Sequence, residues 1–491
     1  VRFFPGVVFD ACVVNEKSFC YVSQIVDDCG VTFTHNNCVC NAFLAFRLRH
    51  QVMTPPLDLS LMPLFNGVLE ELVVLHPKLI LDDLYTRQKV VHNYRGRWFR
   101  RYEEARLELL ERGLNRRDFW NKCFNKADKE KVIKNASRLI QYMMATGALE
   151  MGRFTHPFEA LVYQCRDRFG TRIFGKGCNL HTLAEDFVRK RDCFLDPVYL
   201  LLDASKFDTH VDIGLLDAIR KFYRRCCRRP RDGHYVHWLW GHALTSCGFS
   251  ALGFKYKTHG TRFSGHMDTG LGNSLIMYAM LVSYMKASGV SKFSLSVNGD
   301  DSVTIIERAD LSRILGMDFF KRFGFSMKFE MTDDFSQMEY CQTRPVETDY
   351  GWMMCRGPER MLSRAGWTVT RFRHGRVRSY LKSLGLGEMA INYGCPVGYA
   401  MGRKLYVAGG DAKLMPVDRK RYISYTKQKF WQVFDVPTIS MATRVSYQRA
   451  WGMDPSKQVE IERKLTVLRT SSVTEQQQWL YEQVLNTRVG V

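Results

Sequence analysis

Hydrophobic and polar positions follow different periods along this chain, and the changes of period mark out its elements. Val198 to Leu202 is an unbroken apolar run, which predicts a strand buried on both faces. Phe293 to Val297 and Ser302 to Ile306 are β-rich runs on either side of Asn298-Gly299-Asp300-Asp301. Asn-Gly between such runs predicts a hairpin with the two acids at its tip. Apolar residues at helical spacing predict helices over Tyr102 to Leu114, stopped at Gly113, over Val211 to Tyr223, and from about Thr269 through Met285. Residues 198 to 345 thus read as strand, helix, long insertion, helix, hairpin, helix and strand, an alternation that predicts an α+β core. Tyr85 to Arg191 is basic and mainly helical in pattern, while residues 1 to about 85 mix short β-like runs (Val7 to Phe9, Val31 to Phe33) with turns. From about Val346 the pattern is helical with loops, and neither a repeat nor a low-complexity tract interrupts the chain.

Charge adds a partner to this picture. Lys and Arg number 71 against 50 Asp and Glu, a net charge of +21 over 491 residues. Such an excess points to a polyanion, because each phosphate neutralised releases a condensed counterion. Hydrophobic residues make up 46%, enough for a sizeable core shared by several subdomains. The cysteine count, 15, is odd and includes adjacent Cys226 and Cys227, which fits free thiols in a reducing setting better than a disulfide framework. Cys12, Cys20, Cys29, Cys38 and Cys40, with His35 nearby, lack paired zinc-knuckle spacing and read as buried thiols. No run of about 18 apolar residues is free of charge; the best candidate, Leu57 to Leu81, is broken by Glu70, Glu71 and prolines. The first residue is Val1, so the chain reads as a fragment, a cleavage product or the downstream part of a fused product, and an upstream membrane anchor stays open.

Three segments carry candidate chemistry. Asp300 and Asp301 side by side at a turn repel each other unless a cation lies between them, and a pair of Mg²⁺ ions suits carboxylate oxygens. Asp203 ends the apolar run, a costly place for an acid unless it is paired or holds a metal. Asp208, five residues on, reads as an N-cap for the helix that follows, with a second role compatible. In the third segment Ser264-Gly265 precedes a helix on which Thr269 and Asn273, four apart, share a face. Gly270 and Gly272 each weaken that helix by roughly 1 kcal/mol relative to Ala, which suggests close approach of another group.

Taken in order and at these separations, Asp203-x-x-x-x-Asp208, Ser264-Gly265-x-x-x-Thr269-x-x-x-Asn273 and Gly299-Asp300-Asp301 resemble the three palm motifs of the RNA-dependent RNA polymerases of positive-strand RNA viruses. FNKADK (Phe124 to Lys129), SRLIQ (Ser137 to Gln141), MGRF (Met151 to Phe154), FGKG (Phe174 to Gly177), GFSMKFE (Gly324 to Glu330) and YCQTRPV (Tyr340 to Val346) narrow the resemblance to the tombusvirus-like group (Tombusviridae). It covers about Tyr85 to Val346. One departure is Tyr142 to Thr146, where that group usually continues with a Pro-Arg-rich stretch.

The resemblance implies a right-hand polymerase fold of α+β class. Fingers would span 85–197, palm 198–221, a fingers insertion 222–262, palm again 263–345 on an antiparallel sheet with flanking helices, and thumb 346–491, with 1–84 an extension of unassigned role. It implies ribonucleotide addition to RNA on an RNA template by two-metal-ion transfer, with Mg²⁺ expected and Mn²⁺ able to substitute. Asp203 and Asp300 would bridge the ions, with Asp301 as third carboxylate. Asp208, Ser264 and Asn273, in segments that also carry Gly265 and Thr269, are assigned to ribose selection. Arg138 and the lysines Lys126, Lys129, Lys131 and Lys134 would face triphosphate and template phosphates, and Lys328 would be the general acid for pyrophosphate departure. Expected partners are template and nascent RNA, nucleoside triphosphates and, through upstream sequence, other viral replication proteins and host membranes in the cytoplasm. The basic run Arg224 to Arg231 is open between RNA contact and a solvated surface. A reverse transcriptase would share the acids, but Asp208 and Asn273 argue against it. A non-catalytic RNA-binding relative would lack an essential acid, and here all three are present.

Overall fold

The computed structural model describes residues 2–3, 19–20, 35, 37–128, 137–365, 367–368, 372, 374–415 and 432–465. The runs at Val7 to Phe9 and Val31 to Phe33, Cys12, Cys29, and the lysines Lys129, Lys131 and Lys134 lie outside the described residues. Two short strands, β1 (Arg2–Phe3) and β2 (Phe19–Cys20), precede helices α1 (Val39–His50), α2 (Met62–Leu75), α3 (Arg87–His92) and α4 (Gly96–Arg112). Helix α4 starts a turn and a half before its apolar spacing suggests, and stops where expected: Gly113 takes a left-handed φ of 71° just past its end. Strands β3 (Asn121–Asn125) and β4 (Leu139–Met143) follow, then α5 (Ala145–Val162) and α6 (Leu180–Arg191).

The middle of the chain runs β5 (Pro197–Ala204), α7 (Phe207–His210), α8 (Ile213–Arg225), α9 (Pro230–Leu244), β6 (Thr245–Ser250), β7 (Phe254–His259), α10 (Thr269–Ala287), β8 (Phe293–Asn298), β9 (Asp301–Glu307), α11 (Asp318–Lys321) and β10 (Met327–Thr332). These elements make the α+β core that the alternating pattern predicts. Four strands, in the order β10-β5-β9-β8, form an antiparallel sheet with β5 inside it. The unbroken apolar run of β5 is explained by two cores. Val198, Leu200 and Leu202 pack into the large one with α5, α8 and α10, whereas Tyr199 joins Val303 and Ile305 of β9 over α6. Each such side chain contributes about 1.5–3 kcal/mol on burial. A second sheet, in the order β1-β7-β6-β3-β4, pairs β3 with β6 in parallel and is otherwise antiparallel.

The region beyond Val346 is not helical throughout. It opens with a hairpin of β11 (Thr343–Thr348) and β12 (Gly351–Arg356), before α12 (Pro358–Arg364), β13 (Trp367–Thr368), α13 (His374–Ile391), α14 (Gly398–Ala408), α15 (Met441–Trp451) and α16 (Pro455–Lys464). Helices α13 and α14 touch backbone to backbone at Gly385 and Gly402, where a Cβ on either would strike the other helix.

The arginine run is partly spent on the fold. Arg228 and Arg229 pair with Asp82 and Asp83, and Leu81 bridges Cys227 in parallel. Among the described residues no helix is long and apolar enough to cross a membrane.

Candidate active site

Strand register brings the first acids together. Asp203 on β5 lies directly opposite Asp301 on β9, and Lys328 on β10 lies directly opposite Asp203 on its other side. Asp203 is not buried, contrary to what its place after an apolar run suggests: it opens into a cavity, because the face of β5 that is covered at Tyr199 is uncovered by Asp203, while Leu202 and Ala204 on the opposite face stay in the large core. The hairpin between β8 and β9 has a two-residue tip, two residues tighter than the Asn298-Gly299-Asp300-Asp301 tip between the predicted runs, and Asp301 belongs to β9. Asn298 pairs with Asp301, so Gly299 and Asp300 are the central residues. Gly299 has a φ of 69° and Asp300 does not share it, the pattern of a II′ turn. Asn298 is thereby free to donate its amide to Cys341 Sγ at 3.3 Å, and the Gly299 N–H donates to Ser274 Oγ at 2.9 Å.

Mutual repulsion shows in the acids' protonation. Burial, then Asp300 and Asp203, push Asp301 up to about 6, and burial with Asp203 raises Asp300 as well. An all-carboxylate donor set under such repulsion fits hard divalent cations. The set is open rather than a closed cage: among the described residues, no three carboxylate, imidazole or thiol side chains converge to enclose an ion.

Asp208 is not the cap of the long helix. It sits in the short α7, while Asp212 caps α8 by accepting from the Gly214 N–H at 2.7 Å. The helix therefore begins at Ile213, two residues later than its apolar spacing suggests. Freed from capping, Asp208 accepts from Asn273 Nδ2 at 2.8 Å. Burial chiefly, together with Asp300, pushes Asp208 up to about 6 against the pull of that hydrogen bond. Asn273 Oδ1 is buried without a hydrogen-bond partner among the described residues, leaving one acceptor ready for an incoming hydroxyl.

The Ser-Gly loop before α10 is tied to β4. Ser264 Oγ receives the Gln141 N–H and donates to Leu139 O, both at 3.3 Å, and the Gly265 N–H donates to Gln141 O at 2.7 Å. A Cβ on Gly265 would meet that oxygen at 2.7 Å, so only glycine docks there. The Thr269 hydroxyl donates back to Phe263 O and His266 O, closing the loop on itself. The groups that crowd Gly270 and Gly272 belong to the protein: Lys176 Nζ and the Arg262 guanidinium.

A cavity of about 730 Å³ joins these residues. Asp203, Asp208, Ser264, Thr269, Asn273, Asp300, Lys126, Arg138 and Lys328 all line it, whereas Gly265 and Asp301 stand just behind its wall. Arg138 is exposed and holds Asp128 with two bonds, from Nε at 2.5 Å and Nη2 at 2.8 Å, and Lys126 reaches the same carboxylate at 3.4 Å.

Three features are given no role by the motif reading. Arg49 and His50, at the end of α1, line the cavity although they lie in the extension given no role. Lys206 Nζ donates to Leu48 O at 3.0 Å and so docks that helix, and burial, then Arg49, pushes the His50 ring down to about 4. Cys341 faces the acids; burial first and Asp301 second push its thiol up to about 12, so it is a donor and not a nucleophile. It and Gln342 hold left-handed φ of 51° and 61°, strain of about 1–2 kcal/mol per residue. YCQTRPV gives the sequence signal for Cys341, but not for its conformation.

The third feature is a buried network at the start of α10. Asp268 accepts from Arg262 Nη1 at 2.6 Å, Trp240 Nε1 at 2.8 Å, Tyr223 Oη at 3.2 Å and His266 Nδ1 at 3.2 Å. Burial alone would raise Asp268, yet Arg262, with His266 and Trp240, holds it well below the usual carboxylate range.

Known proteins resemble this chain in sequence. The profile of the viral RNA dependent RNA polymerase family matches residues 9–473. An RNA-directed RNA polymerase of Tobacco necrosis virus (strain A) is 32% identical over 77% of this chain and 55% of its own length. Those of Cymbidium ringspot virus and Tomato bushy stunt virus (strain Cherry) are 31% and 29% identical, each over 76% of this chain and 46% of their own length. The chain spans about half the length of the curated relatives it matches. With paired acids across β5 and β9, residues of all three palm-like motifs lining one cavity, and a family profile that matches residues 9–473, this chain belongs to the viral RNA-dependent RNA polymerase family.

Proposed function

We propose that this chain adds ribonucleotides to the 3′ end of RNA on an RNA template. The register that sets Asp203 opposite Asp301 and next to Asp300, beside a basic wall of Arg138, Lys126 and Lys328, supports the reading most strongly. Asp203, Asp300 and Asp301 would hold two divalent cations, Mg²⁺ or Mn²⁺, whose charge would stabilise the attacking and leaving oxygens. Arg138 would exchange Asp128 for triphosphate oxygens, since its planar fork suits both carboxylate and phosphate. Asn273 and Asp208 would take the ribose 2′-hydroxyl as a hydrogen-bond partner, and a deoxyribose would leave the Asn273 oxygen unpaired. Lys328 would donate a proton to departing pyrophosphate. Lys129, Lys131 and Lys134 extend the basic side in sequence.

In this reading residues 85–197 and 222–262 are fingers, 198–221 and 263–345 palm, and 346–491 thumb. Arg49 and His50 give the segment before residue 85 a place in the nucleotide cavity. Other replication proteins and host membranes would be engaged through sequence upstream.

The test is synthesis by the purified chain on a heteropolymeric RNA with Mg²⁺, with and without primer, comparing UTP with dTTP. Template-dependent incorporation favouring UTP is expected. Absence of incorporation, or equal use of dTTP, would overturn the proposal.

A further inference from the structure

The four-stranded sheet has one closed edge and one open edge. Beyond β8, residues 173–175 run along the sheet: the Gly175 N–H donates to Val297 O at 3.0 Å and the Val297 N–H to Ile173 O at 2.9 Å. Beyond β10 no strand pairs among the described residues. Strand β10 meets β5 in unbroken register from Met327 to Thr332, with neither a bulge nor a proline. Its outer side is therefore a straight row of backbone donors and acceptors, which pairs with other chains unless a protein blunts it. Its side chains are open too: Lys328, Phe329, Glu330 and Met331 are all exposed. Phe329 and Met331 share a face with Leu202 and Leu200, where Met327 reaches the large core, yet they are 36% and 52% exposed. Lys328 and Glu330 lie on the opposite face, with Asp203 and Leu201.

We propose that this edge docks a second copy of the chain, the two β10 strands pairing antiparallel about a two-fold axis at Phe329. Outward backbone groups recur at every second residue, so the axis must pass through a residue for the ladder to form. Two such registers keep five residues of this six-residue strand paired, Met327 to Met331 or Lys328 to Thr332. The second is centred on Glu330 and sets that acid against itself, which is destabilising. The first is centred on Phe329, and its pairs all match: Lys328 meets Glu330 of the second copy, twice by symmetry, Phe329 meets Phe329, and Met327 meets Met331. Charge therefore selects one register on one face, and the apolar side chains left open on the other face are covered by the same contact. A two-fold contact uses both edges and stops at two copies. Lys328 also lines the cavity, so each copy brings an acid beside a side chain of the other's site.

The test is sedimentation equilibrium of the full chain from about 1 to 100 µM, the range suited to a small transient interface. The average mass of the parent should rise towards twice the monomer and no further. Glu330→Lys alone sets Lys against Lys, and Lys328→Glu alone sets Glu against Glu, so each should weaken dimerisation at least ~10-fold. An equimolar mixture of the two variants should recover the parental dimer, because the swapped charges then match across the axis. Both positions are exposed, so each variant should keep the parental circular dichroism and Tm. A parent that stays monomeric over the whole range would overturn the proposal and leave the edge to a strand of another protein. Single variants that dimerise as the parent does would overturn it too, as would a mixture of folded variants no more dimeric than its components. Growth beyond dimers would do the same, since a closed two-fold contact forbids it. Mass is read without RNA or nucleotide, so the result stands apart from the polymerase reading.

Discussion

Asp301 sits where a carboxylate is least comfortable, half-buried and opposite Asp203. Replacing it with Asn should abolish synthesis, yet raise the Tm of the metal-free protein, by roughly 1–3 °C, because one repelling charge is gone. Differential scanning fluorimetry without Mg²⁺ checks this; an unchanged or lower Tm would mean that the acids are not under mutual repulsion. The pH dependence follows from the same group and from Asp208, both near 6 in the folded chain. Their folded values exceed the unfolded one, so their favourable contribution to stability is complete below about 4 and is lost as pH rises through about 6. Metal loading runs the other way: the Mg²⁺ concentration needed for half-maximal synthesis should rise as pH drops through 6, where Asp301 takes up a proton in the metal-free chain, and a midpoint that does not move with pH would remove Asp301 from metal binding. At the sugar, Asn273→Ala should retain synthesis and narrow the preference for UTP over dTTP by about 10-fold or more, read as a ratio of kcat/KM. An unchanged ratio removes Asn273 from sugar selection.

At the scale of elements, the start of α10 is the hinge on which the Ser-Gly loop, Asn273 and Asp208 all depend. Arg262 carries both the buried pair with Asp268 and a backbone N–H to Asp208 O at 2.8 Å. Trp240→Phe removes one bond to the buried carboxylate and keeps most of the ring, so it should cost about 1.5–3 kcal/mol in chemical denaturation. Arg262→Met should cost about 3–5 kcal/mol, because it strands Asp268 without its cation. If Arg262→Met is as stable as the parent, the network does not hold the loop. The motif spacing made the acids, the Ser-Gly loop and Arg138 legible, since each lies within a short segment whose chemistry is local. Arg49, His50 and the Asp268 network were not, for opposite reasons. Arg49 and His50 reach the cavity through docking of α1 against residues far along the chain, which no local period records. Asp268 lies inside a motif with Arg262 and His266 close by in sequence, but its other two partners, Tyr223 and Trp240, come from α8 and α9, and only the fold brings them in. The cap assignment failed because two acids, Asp208 and Asp212, compete within one short stretch, and the later one makes the bond.

Across the whole molecule, the cores are unequal. One large cluster spans α2, α5, α8, α10 and the inner sheet, while the region after Thr343 is held by three small ones. Calorimetry should therefore resolve two transitions, the earlier belonging to that C-terminal region. A single cooperative peak would show that the small clusters melt with the large one. The four-stranded sheet is the partition between the large cluster and the one over α6, and its strands end in the acids. In genetic terms, that partition is a reservoir of conditional alleles. Val303→Ala, fully buried and far from solvent, removes about 2 kcal/mol of packing without touching a carboxylate. On the proposed function, such a chain should copy RNA at low temperature and fail on modest warming, so temperature-sensitive replication should map to the interior of β5 and β9, away from the carboxylates; synthesis by Val303→Ala measured at two temperatures checks this.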